Sequence, residues 1–195
     1  MAYFEIKSRN GSIVYSDDTV SLRLLAERYA SDLNGVNLSQ ADLYGANLRE
    51  AYLIRADLSH AGLSHANLDD AKLRYAELYG ADLSHSSLVG ADLSHVDLSW
   101  AMLIGADLRK ANLSNASIYQ ANFVGADIST AFVTLRKRQV TVTPAIMALL
   151  ATCTSFAQQR YAWGAVEKQP EILDAIQTIV DAGVELDKAL PWLFL

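Results

Sequence analysis

Ala41-Asp42-Leu43-Tyr44-Gly45-Ala46-Asn47-Leu48-Arg49-Glu50 states in ten residues the rule that governs about half of the chain. Every fifth residue from Leu33 to Leu113 is Leu, 17 positions in all, and the register continues through Ile118, Phe123, Ile128 and Val133. Two residues before each, from position 36 to 131, Ala stands at 17 of 20 places, the exceptions being Val36, Ser86 and Val96. The residue between them is Asp or Asn in 12 of 20 units, and the last two places are mixed and polar. A period of five matches neither the 3.6 of a helix nor the 2.0 of a flat strand. Within a unit, Ala-x-Leu alternates in, out, in as a short strand does, and the two residues that follow turn the chain. A corner every five residues winds the chain into a solenoid whose coils stack by backbone hydrogen bonds at about 4.8 Å. Leu fills the interior, Ala admits the close approach of backbone that a narrow tube demands, and Asp or Asn suits the corner by bonding nearby backbone.

Composition narrows the classes. The chain has 195 residues, 51% apolar and 19% charged, which suits one folded domain with an appendage and is short for two. Its 22 acidic and 16 basic residues give a formal charge of −6, the wrong sign for gripping a phosphate backbone, so direct nucleic-acid binding is not expected. The one cysteine, Cys153, cannot close an internal disulfide, and Met1-Ala2-Tyr3-Phe4-Glu5 lacks the basic start and apolar run of a signal peptide. The longest apolar stretch, around Ala145 to Ala151, falls far short of the roughly 20 residues that span a bilayer. The expectation is a cytoplasmic chain without a membrane span.

Ala41-Asp42-Leu43-Tyr44-Gly45, Ala46-Asn47-Leu48-Arg49-Glu50 and Ala106-Asp107-Leu108-Arg109-Lys110 resemble the A(D/N)LXX units of the pentapeptide repeat proteins. The resemblance implies a mainly β fold, a right-handed quadrilateral parallel β-helix with four pentapeptides to a coil. Residues 33–133 would then make about five coils, a rod on the order of 24 Å long. That divides the chain into an N-terminal cap (1–32), the β-helix (33–133) and a C-terminal helical segment (134–195).

Phe4 to Lys7 and Ser12 to Tyr15 alternate around Asn10-Gly11, a hairpin signal, and a helix follows with Thr19 or Asp18 as its cap. Together they would cover the open edge of the first coil. After Val133, Leu135-Arg136-Lys137-Arg138 breaks the register and Pro144 can open a helix. One apolar stripe there includes Ile146, Leu150 and Phe156 and a second includes Ile176, ahead of an apolar tail with Trp192 and Phe194. These six side chains are the expected cap of the solenoid or the interface of a homodimer, two readings that stay open.

No phosphate loop, dinucleotide fingerprint, nucleophile elbow or zinc-protease helix occurs. Cys153 lies on an apolar stripe and reads as packing. His60, His65, His85 and His95 all hold the last place of a unit; His65 and His85 fall one coil apart, which is half a zinc site at most. A convex rod filled by Leu also lacks a concave pocket, so no enzyme activity, cofactor or metal is expected.

Folded at 20 residues per coil, the exterior sorts into four faces. The face of Leu38, Leu58, Leu78 and Leu98 carries Asp57, Glu77 and Asp97, and its neighbour, the face of Leu43, Leu63, Leu83 and Leu103, carries Asp42 and Asp82; neither holds a repeat Lys or Arg. These two faces sum to −5, while Arg49, Arg55, Lys72, Arg74, Arg109 and Lys110 lie on the other two beside six acidic residues. Carboxylates stacked at the coil spacing repel by about 1 kcal/mol per contact even in water. With Tyr44, Tyr79, Trp100 and Tyr119 beside them, the acidic faces are the candidate site for a basic protein partner. The resemblance extends to a quinolone-resistance branch known for imitating duplex DNA against DNA gyrase, which implies a non-catalytic modulator of a topoisomerase or other DNA-binding protein. Two departures from that branch stand out: the register here is unbroken by a loop, and Leu rather than Phe dominates the centre. The alternative is a structural or assembly scaffold that binds through its C-terminal helices.

Overall fold

The computed structural model describes residues 4–17, 21–118, 120–128, 130–135 and 138–141. Tyr119 and the whole C-terminal stretch, with Ile146, Leu150, Phe156, Ile176, Trp192 and Phe194, lie outside the described residues, as do Asp18 and Thr19.

The five-residue unit folds as one corner. The Ala46 amide donates to the Leu43 carbonyl at 3.0 Å, and the same bond from the next Ala back to Leu recurs along the chain. The residue just before each Ala sits at positive φ, as at Glu50 (58°), His60 (58°) and Trp100 (63°), which is the third-position geometry of a type II turn. Asp or Asn braces the turn from the other side: Asp57 Oδ1 accepts from the Ser59 amide at 3.0 Å and Asp97 Oδ1 from the Ser99 amide at 2.9 Å.

Corners stack with a period of twenty. Leu43 N–H donates to the Gly62 carbonyl at 2.8 Å and Gly62 N–H to the Ala41 carbonyl at 2.9 Å, the two bonds of a parallel bridge between Asp42 and Gly62. Every such bridge, from Asn37↔Asp57 to Asp107↔Asp127, joins residues 20 apart, so four units complete one coil. Inside, each Leu from Leu43 to Leu108 in the repeat register has 0% exposure, and each such side chain stabilises the fold by about 1.5–3 kcal/mol relative to leaving it in water. Ser86, standing where Ala is the rule, turns its hydroxyl onto the Leu83 carbonyl at 2.7 Å and leaves no buried donor unmade.

The leader meets the first coil on all four sides. Strands β1 (Phe4–Ser8) and β2 (Ile13–Asp17) form the hairpin, and β1 also pairs antiparallel with β3 (Val36–Asn37), giving the order β2-β1-β3. Helix α1 (Leu22–Arg28) supplies the next two sides: Arg23 Nη1 donates to the Tyr44 carbonyl at 3.2 Å, and Glu27 Oε1 accepts from the Asn47 amide at 2.8 Å. Past the helix, the Ala30 carbonyl accepts from the Tyr52 amide at 2.8 Å. Ile6, Leu25 and Ala26 are fully buried in the same core as the repeat leucines.

Two readings of the termini need correction. The helix is capped by Ser21, whose hydroxyl accepts from the Leu24 amide at 3.2 Å, because the helix begins at Leu22 and the cap must stand immediately before it. After the last unit the chain forms a hairpin of β4 (Phe132–Leu135) and β5 (Arg138–Thr141), with Phe132 opposite Thr141. The register break therefore falls where β4 ends at Leu135, ahead of β5.

Candidate protein-binding surface

On the first acidic face Asp57, Glu77 and Asp97 occupy successive bridges of one column, Asp57↔Glu77 and Glu77↔Asp97. On the adjoining face Asp42 and Asp82 share a column but are separated by Gly62, through Asp42↔Gly62 and Gly62↔Asp82. The two columns flank the corner that carries His60, Gly80 and Trp100. Tyr79 stands beside the first column with its ring edge-on to His60 at 5.4 Å, Trp100 is 51% exposed at the corner, and Tyr44 lies farther round, edge-on to His65 at 5.4 Å.

Four of these five carboxylates brace their own corners. Asp42, Asp57, Asp82 and Asp97 each accept a backbone N–H two residues on. Asp82 also accepts from the Ser64 hydroxyl at 2.6 Å; burial alone pushes its carboxyl up, but the Ser64 and Ser84 hydrogen bonds and nearby His65 bring it below the usual carboxylate range. The column thus combines a turn-bracing role with an outward charge, each Asp spending one oxygen on backbone.

Glu77 is different. Arg9, in the turn of the N-terminal hairpin, ion-pairs with its carboxylate, and this contact together with the nearby Asp57 charge raises the guanidinium pKa. The strip that carries no cation of its own in the repeat register therefore receives one from outside it, while Asp57 and Asp97 form no ion pair among the described residues. Sequence periodicity could not place Arg9, since it lies outside the repeat and reaches the face through the β1–β3 pairing.

The histidines form ladders. His65 and His85 stack at 5.2 Å with 20° between planes, and Tyr75 stacks on His95 at 4.7 Å. Burial and the Arg74 charge hold the His95 imidazole below its ordinary pKa, against a smaller opposite pull from Asp92. Among the described residues no group of three or more His, Cys, Asp or Glu gathers where it could hold a metal ion.

A twenty-residue coil of four turn-braced units filled by Leu defines a β-helical solenoid. A family model described as pentapeptide repeats matches eight copies over residues 31–68, 51–90, 61–99 and 91–129. The chain belongs to the pentapeptide repeat family, whose fold is a right-handed β-helix. Among solved structures it is similar to Rfr23, a pentapeptide repeat protein from the cyanobacterium Cyanothece 51142, at 34% identity over 45% of this chain and 59% of that one, with a TM-score of 0.44. It is similar to alr5209, a pentapeptide repeat protein from Nostoc Pcc 7120, at 38% identity over 58% of this chain and 85% of that one, TM-score 0.29. QnrB1, described as a plasmid-mediated fluoroquinolone resistance protein, is 22% identical over 49% of this chain and 59% of its own, TM-score 0.26. The chain thus spans about three-fifths of the length of the first of these. No curated protein matches.

Proposed function

We propose that this protein is a non-catalytic binding module whose two acidic faces hold a basic surface of a protein partner. One observation carries the reading: the repeat residues of two adjoining faces sum to −5 while the other two sum to zero, on a scaffold whose interior rule sets no charge outside. A solenoid of fixed coil spacing presents Asp57, Glu77 and Asp97 in a column at about 4.8 Å beside Asp42 and Asp82 two coils apart, a rigid array that steers and registers a cationic partner. The partner fitting such an array is a protein that handles DNA, and the specific form proposed is a DNA mimic acting on a topoisomerase such as DNA gyrase.

Binding to purified DNA gyrase, measured by surface plasmon resonance with duplex DNA as competitor, tests this. The native chain should bind, lose affinity as salt rises, and be displaced by DNA. Asp57→Lys with Asp97→Lys should abolish binding, whereas Arg9→Ala, which unpairs Glu77, should strengthen it. Equal binding by all three chains removes the acidic faces from the mechanism. If deletion of residues 186–195 abolishes binding instead, the scaffold reading with a C-terminal interface replaces it.

A further inference from the structure

The face that carries Leu53, Leu73 and Leu93 holds a different array. Tyr52, Ile54 and Arg55 project outward from one coil, and Lys72, Arg74 and Tyr75 lie directly below on the next, aligned by the Tyr52↔Lys72 bridge and by the Arg55 amide donating to the Arg74 carbonyl at 3.0 Å. Arg74 lies 5.0 Å and Arg55 5.8 Å from the centroid of the Tyr75 ring, and Arg74 Nη2 donates to the Tyr75 hydroxyl at 3.3 Å. The ring is fixed from below by its stack on His95. The guanidinium groups are therefore positioned by cation–π contact and not by carboxylates.

That is unusual within this chain. Arg9, Arg23, Arg28, Arg49 and Arg109 each meet a carboxylate. Among the described residues Arg55, Lys72 and Arg74 meet none. The acidic residue of the face, Asp92, stands one coil from Lys72, and its Oδ1 accepts from the Ser94 amide, the Ser94 hydroxyl and the Asn112 side chain. In a protein of net charge −6, three cations on two adjacent coils that form no ion pair among the described residues are a local inversion of the overall field.

Arg55 and Arg74 border a shallow concavity of about 670 Å³ lined also by Asn34, Gly35, Ile54 and Tyr75. Gly35 leaves one wall open: a Cβ added there would meet nothing within 4 Å. Asn34 spends its side-chain oxygen on the Ile54 amide at 2.9 Å, which leaves its NH₂ as a further donor. We propose that this concavity binds a polyphosphate anion. Two guanidinium forks, with the Asn34 NH₂ beside them, supply charge-assisted, partly bidentate donors to several phosphoryl oxygens at once. Exposed Tyr52 beside Lys72 offers a ring on which an attached nucleobase stacks.

Isothermal titration of the full chain with pyrophosphate, tripolyphosphate and ATP, at low and at physiological salt, tests the site. The expected result is saturable one-to-one binding that the Arg55→Gln, Arg74→Gln double variant weakens by roughly tenfold or more, with an unchanged melting temperature. Lys110→Gln, which removes one positive charge on another face, should leave binding intact. ATP binding tighter than tripolyphosphate assigns a nucleoside polyphosphate; equal binding assigns the inorganic anion. Absence of saturation, equal loss in Lys110→Gln, undiminished binding by the double variant, or equal affinity for a glutamate-rich peptide would each overturn the proposal. The acidic faces take no part in this binding, so the outcome is independent of the partner experiment above.

Discussion

A single position, the last of each unit, carries the sharpest constraint on side-chain choice. Thirteen non-glycine residues there hold φ between 57° and 63°, a region that costs an L-residue roughly 1–2 kcal/mol. Where glycine takes the position it does so for two separable reasons. Gly35 at +66° has open space around it, whereas a Cβ at Gly80 would come 2.7 Å from the His60 ring that lies over it. Gly35→Ala should therefore cost about 1 kcal/mol from the backbone alone, and Gly80→Ala should cost more, with part of the excess recovered in a His60→Ala background. Urea unfolding of the four variants checks this as a double-mutant cycle. The bracing role of Asp and Asn was legible in the sequence, because its chemistry is local. The positive φ was not, since Gly stands at only some corners and Glu, His, Tyr, Trp and Lys stand at others, held there by the ladder of the whole coil.

At the scale of elements, the leader works by supplying partners to an edge that would otherwise be unpaired. Its hairpin is pinned to the chain that follows: the Tyr15 hydroxyl donates to Asp32 Oδ2 at 2.6 Å and its ring stacks on Tyr29 at 4.1 Å. The Asp32 hydrogen bond pushes the Tyr15 pKa up to about 12. A raised folded pKa keeps its stabilising contribution below the unfolded value near 10 and loses it as pH climbs toward 12. Thermal melts from pH 9 to 12 should fall faster for the native chain than for Tyr15→Phe, which has no proton to lose. Ser21→Ala should destabilise the protein by about 1 kcal/mol in the same assay at neutral pH. The hairpin was legible from Asn10-Gly11, where Asn10 Oδ1 accepts from the Ser12 amide at 3.1 Å and Gly11 takes φ +86°. The cap was misplaced because Thr19, Asp18 and Ser21 are chemically equivalent and only the helix start separates them. The β4–β5 hairpin escaped notice because it follows the repeat without a glycine turn.

The whole molecule behaves as a stack in which each coil touches its neighbours, so a lesion in the middle severs contacts in both directions. Leu68→Ala, at a side chain with 0% exposure, should cost about 2–5 kcal/mol in urea unfolding. Charge is organised at this scale too. The acidic strip and its two bare faces were legible once the sequence was wrapped at twenty. Arg9 escaped because the chain folds back onto Glu77 from outside the repeat, and the cation–aromatic contacts of Arg55 and Arg74 with Tyr75 escaped because they depend on how one coil stacks on the next.

The interior repeats every five residues and the surface every twenty. These two clocks can be shifted against each other. Inserting one Ala-Asp-Leu-Ser-Gly unit between His85 and Ser86 would keep Ala and Leu in the core at every later step, yet it would carry each downstream outward residue onto the neighbouring side. Asp97 would leave the column of Asp57 and Glu77 while the tube closed as before. A lineage of such proteins can thus re-deal its outer surface by a quarter turn without reworking its interior, and two members of equal stability can present wholly different faces to the cell.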